Sequence, residues 1–314
     1  MKILIVSLVA LVSTFCLVRY FTAIVSSRQN IVREEKTVLP EKPVVVTAVG
    51  DVMLARYVEE LSLRNKDWNY PFASSSEIFS GSDIVFGNFE GAIPKVHEQT
   101  PNFNFRFSVP KEAAKAAGRA GVNVVTLANN HSLDFGENGY ENTVATLKDI
   151  GVASIGKHSD HVYEKSGVHV RFMGLDDTLV RLATSSVVQK VRTAKKENEF
   201  LIVAVHFGEE YERSSNPRQR QLAHLIIDAG ADVVIGHHPH AIEELEEYHG
   251  KPIFYSLGNF IFDQYFKDDT ERGLAIRMTI EKKEVTYEMR PIHLTGSQPK
   301  LDVSTKPLVF TVER

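Results

Sequence analysis

From residue 43 onward the chain alternates short apolar runs rich in valine and isoleucine with longer segments of helical spacing. VVVTAV (44–49), DIVFG (83–87), VNVVTLA (122–128), FLIVAVH (200–206), DVVIG (232–236) and PIFYSL (252–257) predict strands. Such runs are apolar almost throughout, the pattern of an α/β domain built on a largely buried sheet. Between them, PKEAAKAAGRAG (110–121), GYENTVATLKDIG (139–151) and NPRQRQLAHLIIDAG (216–230) predict helices. Pro110 suits a first helical turn; in the last segment Asn216 fits a cap, Pro217 the first position, and Gly230 the end. Residues 271–295 predict an antiparallel hairpin closing the sheet, and 296–314, rich in Pro, Ser and Lys, a C-terminal tail or an edge strand. No internal repeat or break in composition divides residues 43–295, which predicts one domain.

The N-terminal pattern differs in kind. It is apolar from Ile3 to Val18, interrupted at Arg19, and apolar again to Val25. The first run alone falls short of the roughly 20 residues a bilayer requires. Extended to Val25 it is long enough, with Arg19 snorkelling towards the interface. Residues 1–27 therefore predict a single-pass anchor in the cell membrane, a signal segment being the alternative. No small-x-small cleavage site follows the apolar core, and Phe15 before Cys16 argues against a lipoprotein signal. Residues 28–42 are polar, end in prolines, and read as a linker. Lys2 precedes the span and Arg28, Arg33 and Lys36 follow it, so charge leaves the orientation open. The domain is placed outside the cytoplasm because export segments of this kind serve that purpose.

Composition narrows the classes further. With 314 residues, 43% of them hydrophobic, the chain has ample material for a large core. A formal net charge of −4 and the absence of any Lys/Arg block argue against nucleic acid as a partner. Cys16 is the only cysteine, which excludes an intramolecular disulfide and a cysteine-ligated zinc site.

Most apolar runs lead directly into polar residues of catalytic type. TAVG precedes Asp51, IVFG precedes Asn88 and Glu90, and VTLA precedes Asn129, Asn130 and His131, with Asp134 close behind. IVAV leads into His206, VVIG into His237, His238 and His240, and YSLG into Asn259. Ligands of open α/β sheets bind at the carboxyl ends of the strands, so these scattered groups converge in space. Carboxylate, imidazole and amide oxygen without thiolate suit one or two divalent ions such as Mn, Fe or Zn. Two ions about 3.5–4 Å apart clamp a phosphoryl or acyl oxygen and activate water.

GDVMLAR (50–56), GNFEG (87–91), LANNHSLDFG (127–136), VHFGEEY (205–211), IGHHPH (235–240) and SLGNFIFD (256–263), in that order, resemble the CapA family. These are bacterial proteins of poly-γ-glutamate capsule synthesis with a calcineurin-like metallophosphoesterase fold. The resemblance covers about residues 44–293. It implies a four-layer α/β/β/α sandwich, an N-terminal membrane segment, and an anionic polymer substrate. Asp51 matches the first metal carboxylate, but Met53 stands where the phosphoesterase pattern places a second ligand histidine, leaving one metal a ligand short. Glu90 falls at the bridging carboxylate, with Asn88 beside it as ligand or substrate contact. Asn130 and His131 match the pair in which the amide oxygen binds metal and the imidazole gives a proton to the leaving group. Asp134 then orients His131, and His206 matches the isolated histidine ligand.

The phosphoesterase pattern is Gly-His-any-His, and here one extra residue lies between Gly236 and His240. If the segment stays extended, His238 and His240 share a face and both bind metal, while His237 faces away and becomes a substrate contact. If the chain turns after Gly236, His237 and His240 bind instead. The extended register is preferred. Arg56, Glu209 and Asn259 complete the candidate substrate contacts, Arg56 either anchoring an anion or lying across a helix end. Asn129 reads as a turn residue. His97, His158, His224, His249 and His293 lie outside the motifs and read as structural or surface residues.

The resulting expectation is a membrane-anchored, extracytoplasmic protein of poly-γ-glutamate synthesis, export or anchoring with a metal-dependent hydrolase or transferase site. Its partners would be an ATP-dependent ligase and a small membrane protein of a capsule synthase complex. A phosphoesterase acting on an extracytoplasmic phosphorylated substrate, and a non-catalytic subunit of the same complex, are the alternatives.

Overall fold

The computed structural model describes residues 42–157 and 159–314. The apolar N-terminal stretch, the linker before residue 42 and His158 lie outside the described residues. Among the described residues, no helix is long and apolar enough to cross a membrane.

In chain order the strands are β1 (Val44–Val52), β2 (Ile84–Phe89), β3 (Val124–Thr126), β4 (Ala153–Ile155), β5 (His161–Lys165), β6 (Val168–Asp176), β7 (Glu199–His206) and β8 (Val233–His237). They continue with β9 (Leu245–Tyr248), β10 (Lys251–Phe254), β11 (Asn259–Ile261), β12 (Arg272–Ile280), β13 (Glu284–Thr295), β14 (Gln298–Leu301) and β15 (Leu308–Glu313). One sheet runs β14-β13-β12-β1-β2-β3-β4, with β11 beside β1 and β15 beside β13; the other runs β5-β6-β7-β8-β10-β9. β1 to β4 are parallel, as are β6, β7, β8 and β10, whereas β12 to β15 form an antiparallel extension.

The apolar runs follow from burial on both faces. Along β7, Phe200, Ile202 and Ala204 enter a core shared with Val46, Ala48, Ile84 and Phe86 of the other sheet. The alternate residues Leu201, Val203 and Val205 pack outward against Val187, Val191, Leu222 and Ile226 of the helices Thr184–Ala194 and Pro217–Asp228. Period-two alternation therefore buries every position of the strand. Across the sheets, Phe86 meets Phe172 with ring centroids 5.3 Å apart. Each such fully buried ring is worth about 1.5–3 kcal/mol. The outer face of the first sheet is covered by helices that contribute Val58, Ala113, Ala117, Tyr140 and Leu147. The mixed α/β expectation thus resolves into two sheets with helices outside both.

Two helix boundaries differ from the sequence reading, and at the C-terminus the edge-strand alternative holds. Pro110 stands before the helix Lys111–Ala120 as its cap, not within its first turn. The helix predicted from residue 139 begins at Gly136. Residues 296–314 form β14 and β15, both paired with β13, so residues Lys42–Arg314 make one compact unit and the 296–314 tail belongs to the sheet. Asn216 forms a capping box with Gln219, as the N-P-x-Q spacing favours.

Two glycines permit the close approaches that bring strand ends together. A Cβ on Gly50 would lie 1.9 Å from the Gly258 carbonyl oxygen, and one on Gly236 would lie 1.9 Å from that of Tyr255. These glycines immediately precede Asp51 and His237. Because the obstruction is backbone, Gly50→Ala and Gly236→Ala are expected to cost about 3 kcal/mol each. Chemical denaturation checks this, and wild-type stability in either variant would contradict the packing described.

Candidate metal centre

The carboxyl ends of β1, β2, β7 and β8 meet where the two sheets face each other, and Asp51 lies at the middle of the contact, fully buried. Its Oδ1 accepts from Asn88 Nδ2 at 2.9 Å and from His237 Nδ1 at 3.2 Å. Its Oδ2 accepts from the His238 backbone N–H at 3.4 Å and lies 3.1 Å from His240 Nδ1 as an ion pair. Burial opposes ionisation of Asp51, but His237 and His240 outweigh it and hold the carboxyl well below the usual carboxylate range.

Glu90 follows β2. Its Oε2 accepts from Asn88 Nδ2 at 3.1 Å, while its Oε1 lies 3.6 Å from His240 Nε2 and 3.9 Å from His131 Nε2. Burial pushes this carboxyl up to about 7. His206 donates from Nε2 to Asn130 Oδ1 at 2.8 Å, which turns Nδ1 towards Asn88 at 3.4 Å. Burial and the neighbouring His238 push His206 well below the usual imidazole value, and burial with His240 takes His238 down to about 4. Burial also works against a cationic His240, but Glu90 and Asp51 prevail and raise it to about 9.

His131 sits on the turn after β3. Its Nδ1 donates to Asp134 Oδ2 at 3.0 Å, and that oxygen also accepts the Phe107 N–H at 2.6 Å. The Phe107 ring stacks on the imidazole at 4.0 Å. The ring is therefore fixed in plane and tautomer, with Nε2 facing Glu90. This is the orientation expected of the His131–Asp134 pair.

The histidine segment departs from both registers. β8 ends at His237, and His238 and His240 take positive φ values of 100° and 56°. The chain is not extended, and His237 does not face away: it is buried against Asp51. His238 and His240 instead reach the centre through left-handed backbone, a conformation non-glycine residues seldom adopt and that recurs at functional sites.

Of the other expected substrate contacts, Asn88 and Asn259 are fully buried in the interior, and Arg56 is buried at the floor of a cleft. Asn88 Oδ1 accepts from Asn129 Nδ2 at 2.9 Å, so Asn88 turns its amide nitrogen, not its oxygen, to the carboxylates. Asn259 donates to Gln264 Oε1 at 3.0 Å and to the Thr270 carbonyl at 2.9 Å, and accepts from His240 Nδ1 at 3.1 Å, positioning that imidazole. The Arg56 guanidinium pairs with Asp263 and lies 4.8 Å over the Phe107 ring, so its charge is already matched. Asp263 also accepts the Tyr57 N–H at 3.1 Å, tying the pair to the helix start.

Two neighbours of the residues singled out in the sequence also enter the centre, beside Asn130, whose Oδ1 meets His206 Nε2. Glu210, not Glu209, closes on His238 and His240. Asn129, read as a turn residue, is buried, donates to Asn88 and to the Phe89 carbonyl, and accepts the His131 N–H at 3.0 Å. Met53 is fully buried, and its sulfur accepts the Ala55 N–H at 3.1 Å. Its place in the pattern adds no nitrogen donor.

The residues fit a divalent cation. Asp51, Glu90 and His206 form one donor group and Glu210, His238 and His240 another, the ligand atoms within each lying within 4.8 Å of one another. Glu90 Oε1, His237 Nε2 and His238 Nδ1 are buried without a hydrogen-bond partner. Each such orphan costs about 1–3 kcal/mol unless something satisfies it.

Behind the Glu210 loop, Gln219 packs its side chain against Gly208 and donates to Glu243 Oε2 at 2.6 Å. Burial raises Glu243 to about 7. A raised carboxyl stabilises the fold while protonated, and that contribution fades as pH climbs from about 4.5 to about 7. Glu243→Gln is therefore expected to gain roughly 2 kcal/mol at pH 8 and nothing at pH 4. Denaturation at the two pH values checks this; equal shifts at both would contradict it.

Fold and site together define an α/β protein of two sheets with a buried nitrogen–oxygen donor cluster at the strand ends. The chain belongs to the family described as "Bacterial capsule synthesis protein PGA_cap", whose profile matches residues 45–264. It is similar to "Capsule biosynthesis protein CapA" of Bacillus anthracis, 32% identical over 282 residues covering 81% of this chain and 68% of that one. It is likewise similar to "PGA biosynthesis protein CapA" of Bacillus subtilis (strain 168), 31% identical over 274 residues covering 80% and 72%. "Probable polyglutamine synthesis accessory protein Rv0574c" of Mycobacterium tuberculosis is 27% identical over 249 residues covering 69% and 66%.

Proposed function

We propose that this chain acts in poly-γ-glutamate capsule synthesis, export or anchoring as a membrane-anchored extracytoplasmic protein, with a metal-dependent hydrolysis or transfer site on a four-layer sandwich of metallophosphoesterase type. The names of its relatives support the pathway. The observation that carries the chemistry is the set of buried, unpartnered donor atoms beside the oriented His131.

Asp51, Glu90 and His206, with Glu210, His238 and His240, are the residues that would hold the ion or ions. A divalent ion there supplies Lewis-acid polarisation of the attacked acyl or phosphoryl oxygen. Asn88 and Asn129 fix the geometry of the carboxylates, and Asn259 that of His240. His131, with Nδ1 committed to Asp134, keeps Nε2 for a proton at the leaving group. A ligase and a small membrane protein of a capsule synthase complex are the partners proposed with this reading, in keeping with the word "accessory" in the name of the mycobacterial relative.

The test offers purified chain γ-glutamyl oligomers and p-nitrophenyl phosphate, with and without chelator. Metal-dependent cleavage or transfer of the γ-glutamyl chain is expected. Turnover of the phosphate ester alone would move the reading to a phosphoesterase, and no turnover of either would remove the enzymatic reading.

A further inference from the structure

A cleft of about 640 Å³ opens beside the metal centre, between the start of the helix Arg56–Arg64, the 101–106 loop, Tyr211 and residues 263–266. Tyr57, Phe105, Tyr265 and Phe266 form its walls. Its buried base is polar: the Arg56–Asp263 pair, and Gln264, whose Nε2 donates to the Tyr211 hydroxyl at 3.2 Å. The cleft adjoins the chemistry on two sides. The Tyr211 ring is 6.1 Å from that of His240, and Arg56 lies over Phe107, which itself stacks on His131.

The lining selects among occupants. A polyanion with a carboxylate on every residue needs a row of free cations along its path, but the lining offers one cation, Arg56, which Asp263 matches; Lys267, 5.0 Å over the Tyr211 ring, and Arg64, over the Tyr57 ring and paired with Glu60, stand at the rim. A hydrocarbon chain would cover the buried ion pair and the Tyr211 hydroxyl without replacing the hydrogen bonds of water. A flat base is held most firmly between two parallel rings, and the pairs here stand edge to face: Tyr57 with Tyr265 at 84° and Tyr211 with Phe266 at 83°. A neutral pyranose has apolar C–H faces for the aromatic walls and hydroxyls for the polar base, the combination of lining that fixes ligands in clefts.

We infer that this cleft is a subsite for a neutral sugar ring of a glycan, placed so that the glycan reaches the metal centre. The assignment rests on the cleft and not on catalysis at the centre, and it extends the proposed function to a second, uncharged ligand.

Full-length chain in nanodiscs is titrated calorimetrically with chitotetraose and maltotetraose, with a γ-glutamate oligomer and AMP for comparison. At least one neutral glycan is expected to bind, and Phe105→Ala and Phe266→Ala each to weaken it by about three- to tenfold. Both rings are well exposed, at 70% and 60%, so the thermal midpoint should hold. His131→Ala is expected to keep glycan binding, which separates this result from any failure at the catalytic centre. The assignment is overturned if neither glycan binds, if both ring variants bind as wild type, or if the γ-glutamate oligomer or AMP binds more tightly and is lost in the same variants.

Discussion

His131→Ala is expected to lower turnover by about 10²- to 10⁴-fold, the loss that follows removal of a positioned general acid. The fold should barely register it: the imidazole lies at the rim of the centre, and its lost stacking on Phe107 should shift the thermal midpoint by about 2–4 °C. Metal content should stay at the wild-type level, because His131 belongs to neither donor group. Asp134→Asn gives the graded version. Asp134 holds Nδ1 of His131 and the Phe107 N–H with the same oxygen, so the amide leaves the ring present but less firmly held. A loss of about 10- to 100-fold is expected, in line with other residues that orient a catalytic group. Steady-state kinetics on the γ-glutamyl or phosphoester substrate checks both. Full activity in His131→Ala would show that the leaving group receives its proton elsewhere.

Asp51→Ala should be the more damaging change to the molecule itself. The carboxylate accepts from Asn88, His237 and the backbone of His238 and pairs with His240, joining β1 and β2 of one sheet to the end of β8 in the other. Its removal leaves a cationic His240 facing Glu90 alone and His237 with neither ring nitrogen bonded. Breaking a buried charge pair of this kind costs about 3–5 kcal/mol. A fall in thermal midpoint of about 10 °C is expected, together with loss of bound metal. Glu90→Gln should cost less stability, since Glu90 accepts only one hydrogen bond and one of its oxygens is unpartnered. Differential scanning calorimetry of the two variants side by side measures the difference, and equal midpoints would contradict Asp51 as the junction between the sheets.

The sheet and the strand ends were legible because two-sided burial writes itself as continuous apolar runs. FLIVAVH has no polar position to spare, and its first polar residue, His206, marks the edge of the core. β6 was missed for the opposite reason. VHVRFMGLD carries His169 and Arg171 at the half-buried positions of the strand, and Arg171 pairs with Glu199 of the neighbouring β7 at 2.6 Å. A tertiary ion pair of that kind leaves no local trace. The site was legible as residue types and less so as geometry. Nothing in GHHPH announces left-handed backbone at two histidines, since that strain is maintained by contacts with Asp51 and Asn259 far along the chain. Nor does sequence distinguish Glu209 from Glu210, or show that Arg56 would find Asp263 more than two hundred positions away.

The catalytic reading depends on the donor cluster holding metal, and elemental analysis by mass spectrometry of chain purified without chelator addresses that directly. About one or two equivalents of Mn, Fe or Zn per chain are expected in the wild type, with content near background in Asp51→Ala and His206→Ala. Metal-free wild-type protein that still supports capsule formation would contradict the account.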